Sequence, residues 1–170
     1  IKEQLKGGAG FQWEEVRKAA QFCLDNRYAY PQGLEWAERA AHSPYGGQEN
    51  AATLTTLALL QMANGKPEAT ASVEKATAMA TTPLDAYRIG RPLVAQKKFA
   101  EALAVFKVAD KKWPGQWPLD VGLLRSYAGL GEKAKALEAG KKALAKAPDE
   151  PNRKNVERLL KKVEAGEPLE

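Results

Sequence analysis

The chain has 170 residues, 44% of them apolar, and sets 26 basic against 21 acidic side chains for a net charge of +5. That length fits one ordinary domain, and the charge lacks the clustered excess of a dedicated nucleic-acid binder. No run approaches the ~18 apolar residues of a membrane-spanning helix. The lone cysteine, Cys23, excludes an intramolecular disulfide framework and fits reducing and exporting compartments equally.

Residues 1–10 open on Ile rather than Met and carry Leu5-Lys6-Gly7-Gly8-Ala9-Gly10. They read as a linker or the remnant of an upstream region, without the charged-then-apolar pattern of a signal peptide. A first helical hairpin is expected over about 11–45. Its opening helix runs from about Gln12 to Asp25, and its second is marked by Gly33, Leu34, Ala37 and Ala40. His42-Ser43-Pro44-Tyr45-Gly46-Gly47 breaks the chain. A second hairpin (49–81) pairs a helix from about Asn50 to Met62 with one bearing Ala69, Val73 and Ala76, across Asn64-Gly65-Lys66-Pro67.

The third hairpin (83–116) announces its start most clearly. Thr82 is a hydroxyl cap, Pro83 occupies the first helical position, and Asp85 follows three residues after the cap. A helix from Leu84 to Ala95 precedes one from Phe99 to Lys112, which places Phe99, Ala102, Leu103, Phe106 and Ala109 on one face before Trp113-Pro114-Gly115 ends it. The fourth hairpin (117–148) pairs Trp117–Leu130 with Glu132–Lys146 around Gly131. Such short breaks force antiparallel helices. A final helix over about 151–165 carries Val156, Leu159, Leu160 and Val163 on one stripe of an otherwise charged surface, the pattern of a terminal cap. No segment reads as a strand.

The last two hairpins repeat each other at a spacing of 34 residues: Ala102, Phe106, Ala109 and Pro114 recur as Ala136, Gly140, Ala143 and Pro148. Ile89, Gly90 and Leu93 recur as Leu123, Leu124 and Tyr127. A period of this size marks a hairpin that buries its apolar face only by stacking on copies of itself. From about Phe11 to Glu164 the chain resembles the tetratricopeptide repeat (TPR). The first two copies are degenerate, and an expected aromatic is replaced by Ala86 and by Asp120. The expected fold is all-α: a right-handed α-solenoid of about four TPR-like hairpins plus the cap, within one repeat domain over 11–170. Bulky Leu124 and small Gly140 are expected to compensate each other across one helix crossing.

The resemblance implies a non-catalytic scaffold that binds a protein or peptide in a concave groove formed by the first helices. The groove residues are then Lys18, Leu54, Gln61, Tyr87, Arg91, Val94, Val121 and Arg125, with Phe22 and Ala58 beside them. Arg91 and Arg125 are 34 residues apart, so they are expected to stack in register and favour an acidic partner. A chaperone-type carboxylate clamp is not expected. Lys18 and Arg88 fall near two of its positions, but Phe22, Thr55 and Leu84 replace the Asn, Asn and Lys it requires.

A second resemblance links residues 8–155 to the C-terminal repeat region of exported bacterial proteins of unknown function. It implies a cell-envelope location and an alternative role, as an accessory or dimerisation segment supporting an adjacent domain; a homo-oligomer fits that role. Neither resemblance implies an enzyme, a cofactor or a nucleic-acid partner. Lone His42 and Cys23 lack companions at metal-ligand or catalytic spacing. Trp13, Trp36, Trp113 and Trp117 are expected at helix packing positions and junctions. Between Gly131 and Glu164 there are 10 basic against 6 acidic residues, read as a solvated helix face.

Overall fold

A computed structural model of the chain describes residues 12–169. The expected linker over 1–10 and Phe11 lie outside the described residues. All regular structure among the described residues is helical.

Contacts divide the chain into two compact units, Ile1–Met79 and Ala80–Glu170. Unit 1 contains α1 (Trp13–Asp25), α2 (Tyr30–His42), α3 (Ala51–Ala63) and α4 (Ala69–Ala78). Helix α1 packs on α2, α3 packs on α4, and α3 also lies against both α1 and α2. That position explains why every residue of α3 from Thr53 to Gln61 is buried. Its buried hydroxyls are satisfied locally: Thr55 donates to the Ala51 carbonyl at 2.6 Å and Thr56 to that of Ala52 at 3.1 Å. Asn50 accepts from the Ala52 and Thr53 amides while the Thr53 hydroxyl accepts from Asn50 N–H, a reciprocal cap that fixes where α3 begins. At its other end Asn64 donates to the carbonyl of Tyr30, tying α3 to the start of α2.

Unit 2 contains α5 (Pro83–Ala95), α6 (Phe99–Lys112), α7 (Trp117–Gly129), α8 (Lys133–Ala145) and α9 (Glu150–Ala165). Hairpin α5/α6 is followed by hairpin α7/α8, first helix contacts first helix (α5 on α7), and α9 packs on α8. This is the stacking of a helical repeat. The start signal at Thr82 is present as read. Thr82 Oγ1 accepts from Asp85 N at 3.1 Å, and the Asp85 carboxylate accepts from Thr82 N at 3.0 Å.

The two repeats of unit 2 place equivalent residues in equivalent backbone. Lys97, in the α5–α6 turn, and Gly131, in the α7–α8 turn, both adopt left-handed conformations, φ +59° and +75°. Gly131 does so freely, whereas Lys97 carries a Cβ in a region that disfavours it.

The centre of unit 2 is Phe106, fully buried and inserted between two glycines. A Cβ on Gly90 of α5 would fall 2.3 Å from the ring, and one on Gly122 of α7 would fall 2.4 Å from it. Both close approaches are to the same end of the ring, so the absence of two side chains opens the slot it fills. The expected pairing of Leu124 with Gly140 is only part of the contact. A Cβ on Gly140 would meet Leu160 of α9 at 2.4 Å and Leu124 at 3.3 Å. The space left by Gly140 is thus taken chiefly by the capping helix. Asp120, where an aromatic was expected, is 3% exposed and accepts a charge-assisted hydrogen bond from Lys146 at 3.0 Å, joining α7 to the end of α8.

Candidate binding face

Helix α5 projects Tyr87, Arg91 and Val94 at intervals of four and three residues, the spacing of one helix face. Together with Arg125 from α7 they line a cavity of about 380 Å3. Phe106 and Gly122 also line it, so the packing centre of unit 2 reaches this surface. The Tyr87 ring lies 6.2 Å from that of Phe106, tilted by 38°, within the range of favourable aromatic pairs. Asn155 of α9 completes the wall with an amide.

Sequence reasoning placed Tyr87, Arg91, Val94 and Arg125 on one surface, and they line one cavity. Phe106 and Asn155 were missed. A second-helix residue was read only as core, and α9 only as a cap. Arg91 is exposed and Arg125 half-buried, so the cavity couples an apolar floor to guanidinium groups at its rim. The neighbouring Arg88 lies instead on the solvent side of α5, 3.9 Å from Asp85.

Val121 is 3% exposed, Leu54 2% and Val94 4%; all three are packing residues, of which only Val94 borders the cavity. The same holds for Ala58 in unit 1, which is fully buried. Gln61 is 7% exposed; its Oε1 accepts from Ser72 at 2.7 Å and its Nε2 faces Glu38. That satisfies a buried amide rather than offering it to a ligand. Lys18 is exposed and paired with Glu15 at 2.6 Å one helical turn away. Phe22 is 45% exposed.

The titratable groups behave as structural elements. Hydrogen bonds from Thr82 and Thr81 hold the Asp85 carboxyl below its ordinary range. The Lys75 ammonium, 2.7 Å away, does the same for Glu49, which also approaches His42 Nε2 at 3.3 Å. Burial raises the Cys23 thiol, the opposite of what an activated nucleophile needs. Among the described residues no group of three or more His, Cys, Asp or Glu side chains gathers in a way that could hold a metal. None of the described helices is long and apolar enough to cross a membrane. Several lysines of the basic C-terminal third are engaged locally: Lys135 with Glu132, Lys142 with Glu138 at 2.7 Å, and Lys154 with Glu150 at 3.6 Å.

The sequence model of the tetratricopeptide repeat matches residues 93–161, from the last turn of α5 into α9. No curated protein matches the chain. Among solved structures, MamA 41-end from Desulfovibrio magneticus RS-1 is similar at 20% identity, covering 94% of this chain and 95% of that one, with a TM-score of 0.47. The MamA RS-1 ArsTM double mutant is similar at 19% identity, with the same coverage and TM-score. Helices paired as hairpins, with first helix against first helix, make this an all-helical repeat fold that carries tetratricopeptide-repeat sequence over residues 93–161.

Proposed function

We propose that this protein is a non-catalytic interaction scaffold whose α5–α7 face binds an acidic peptide segment of a partner protein. Tetratricopeptide repeats serve as protein-interaction scaffolds, which supports the general role. The finer reading rests on one observation: Tyr87, Arg91 and Arg125 line a single cavity, beneath which Phe106 is buried. A guanidinium presents a planar fork of donors matched to a carboxylate, and the half-buried Tyr87 ring beside it receives the apolar part of the same peptide. Lys18, Leu54, Gln61 and Val121 have no part in the reading, because none of them lines this cavity.

The test is a panel of fluorescein-labelled peptides of equal length and apolar content, differing only in the number of Glu residues, titrated by anisotropy. Affinity rising with Glu content, together with chemical-shift changes at Tyr87, Arg91 and Val94, supports the reading. Equal affinity across the panel, or shifts confined to other helices, refutes it.

A further inference from the structure

A segment of this chain borders the same face. After α9, Gly166 turns in the left-handed conformation (φ +74°), Glu167 N–H donates to the Lys162 carbonyl, and Lys162 Nζ donates to the Pro168 carbonyl at 3.2 Å. This folds Glu167-Pro168-Leu169 back onto unit 2. The three residues form one wall of a cavity of about 240 Å3; Val94, Lys97, Phe99, Arg125, Ala128 and Gly129 form the other. Val94 and Arg125 are shared with the cavity of Tyr87 and Arg91, so the segment lies at one end of the proposed binding face.

The chemistry of the two walls is complementary. Glu167 shares the cavity with two cations, Lys97 and Arg125, and Leu169, the least exposed of the three tail residues, shares it with Val94 and Phe99. Lys97 stands at the repeat equivalent of Gly131 and holds a left-handed conformation that glycine adopts without strain. Lys97 thus places a cation on this wall where the equivalent turn has none.

We propose that the α5–α7 face recognises an extended segment in which an acidic residue is followed two positions later by an aliphatic one, and that Glu167-Pro168-Leu169 occupies the site as an internal copy of that ligand. The inference rests on the acidic-peptide reading of this face and adds the aliphatic anchor and the intramolecular competitor. The internal segment must leave before a partner takes Val94 and Arg125, so the intact chain binds more weakly than one whose tail is altered.

The test uses the full chain with Glu167→Gly, Pro168→Ser and Leu169→Gly; the first two residues are exposed and all three follow the last helix. The probe is a blocked peptide of the sequence Ala-Gly-Glu-Pro-Leu, with a Gln-for-Glu version and a Ser-for-Leu version, followed by NMR titration. The tail-altered chain should bind the parent peptide at least threefold more tightly than the intact chain, with shifts at Val94, Ala128 and Gly129. Each altered peptide, and separately Lys97→Glu in the protein, should weaken binding at least fivefold. If the tail-altered chain binds the Glu-rich panel but does not distinguish the three short peptides, the inference fails and the acidic-peptide reading stands. If it binds neither panel nor peptide, both fail. Equal affinity of intact and tail-altered chains removes the internal competitor and overturns the inference as stated.

Discussion

Substituting Gly122 by Ala tests the packing that sets the spacing of α5 and α7. In an exposed helix the change would stabilise by about 1 kcal/mol, because glycine is a poor helix former. Here the new Cβ lies 2.4, 2.5 and 2.6 Å from three atoms of the Phe106 ring, far inside contact distance. The ring is rigid and fully buried, and Gly90 borders the same end of it, 2.3 Å from a Cβ built there. Overpacking of this kind costs ~1–3 kcal/mol, and its upper half, less the helix gain, leaves a net loss of about 1–2 kcal/mol. With a urea slope of about 2 kcal/mol/M the midpoint falls by ~0.5–1 M, read by circular dichroism and by the fluorescence of Trp113 and Trp117. Gly90→Ala combined with Gly122→Ala should cost more than the sum of the two, because each removes the retreat the other leaves. Replacing Phe106 by Leu in the Gly122→Ala background should cost less than in the parent chain. A midpoint that rises with Gly122→Ala, or strict additivity of the two glycine substitutions, would refute the slot.

Deleting residues 149–170 strips Val156, Leu159, Leu160 and Val163, all buried, from α8. At ~1.5–3 kcal/mol per buried side chain the shortened protein should aggregate or lose cooperative unfolding in a thermal melt; an unchanged melt of a monomer would contradict the capping role. Asp85→Asn should destabilise by about 0.5–1 kcal/mol at neutral pH by weakening the reciprocal cap. The folded Asp85 carboxyl lies below its ordinary value, so its contribution is complete above that value, ~pH 4, and is lost as pH falls through the lower folded one. Urea midpoints of parent and variant should therefore converge in acid and separate toward neutrality. Lys97→Gly relieves a left-handed side chain and should leave stability unchanged or raise it by up to ~1 kcal/mol, whereas Lys97→Val should lower it; the two urea midpoints check the order.

Much of the fold was legible because helix ends are local chemistry. Thr82-Pro83 and Gly131 announced starts and stops within a residue or two of where they fall. Side-chain pairing was less legible, since the repeat register relates equivalent positions and not the residues that touch. Gly140 aligns with Phe106, which suggested Leu124 as the compensating group, yet Leu160 from outside the repeat takes most of the space. Asp120 departed from the expected aromatic, and only the structure reveals its partner, Lys146, at 3.0 Å. Of the residues expected on the groove, Arg91 and Arg125 line one cavity, while Leu54 and Val121 are packed inside. Helix α3 is apolar on all sides and α7 is buried from Leu119 to Leu124, so periodicity gives no displayed face to read. Asn155 and the tail wall lie beyond the repeat, where register says nothing.

The most direct measurement is the affinity of the Glu-rich peptide for the parent chain, Arg91→Ala and Arg91→Lys, titrated at low and at physiological salt. Arg91 is exposed on α5, so its replacement leaves the helix packing in place. Binding should weaken severalfold with Ala, recover only in part with Lys because the planar fork is lost, and weaken further as the screening length shortens to ~8 Å. Affinity unchanged by Arg91→Ala and indifferent to salt, with the fold intact, would contradict the assignment of this face as the binding surface.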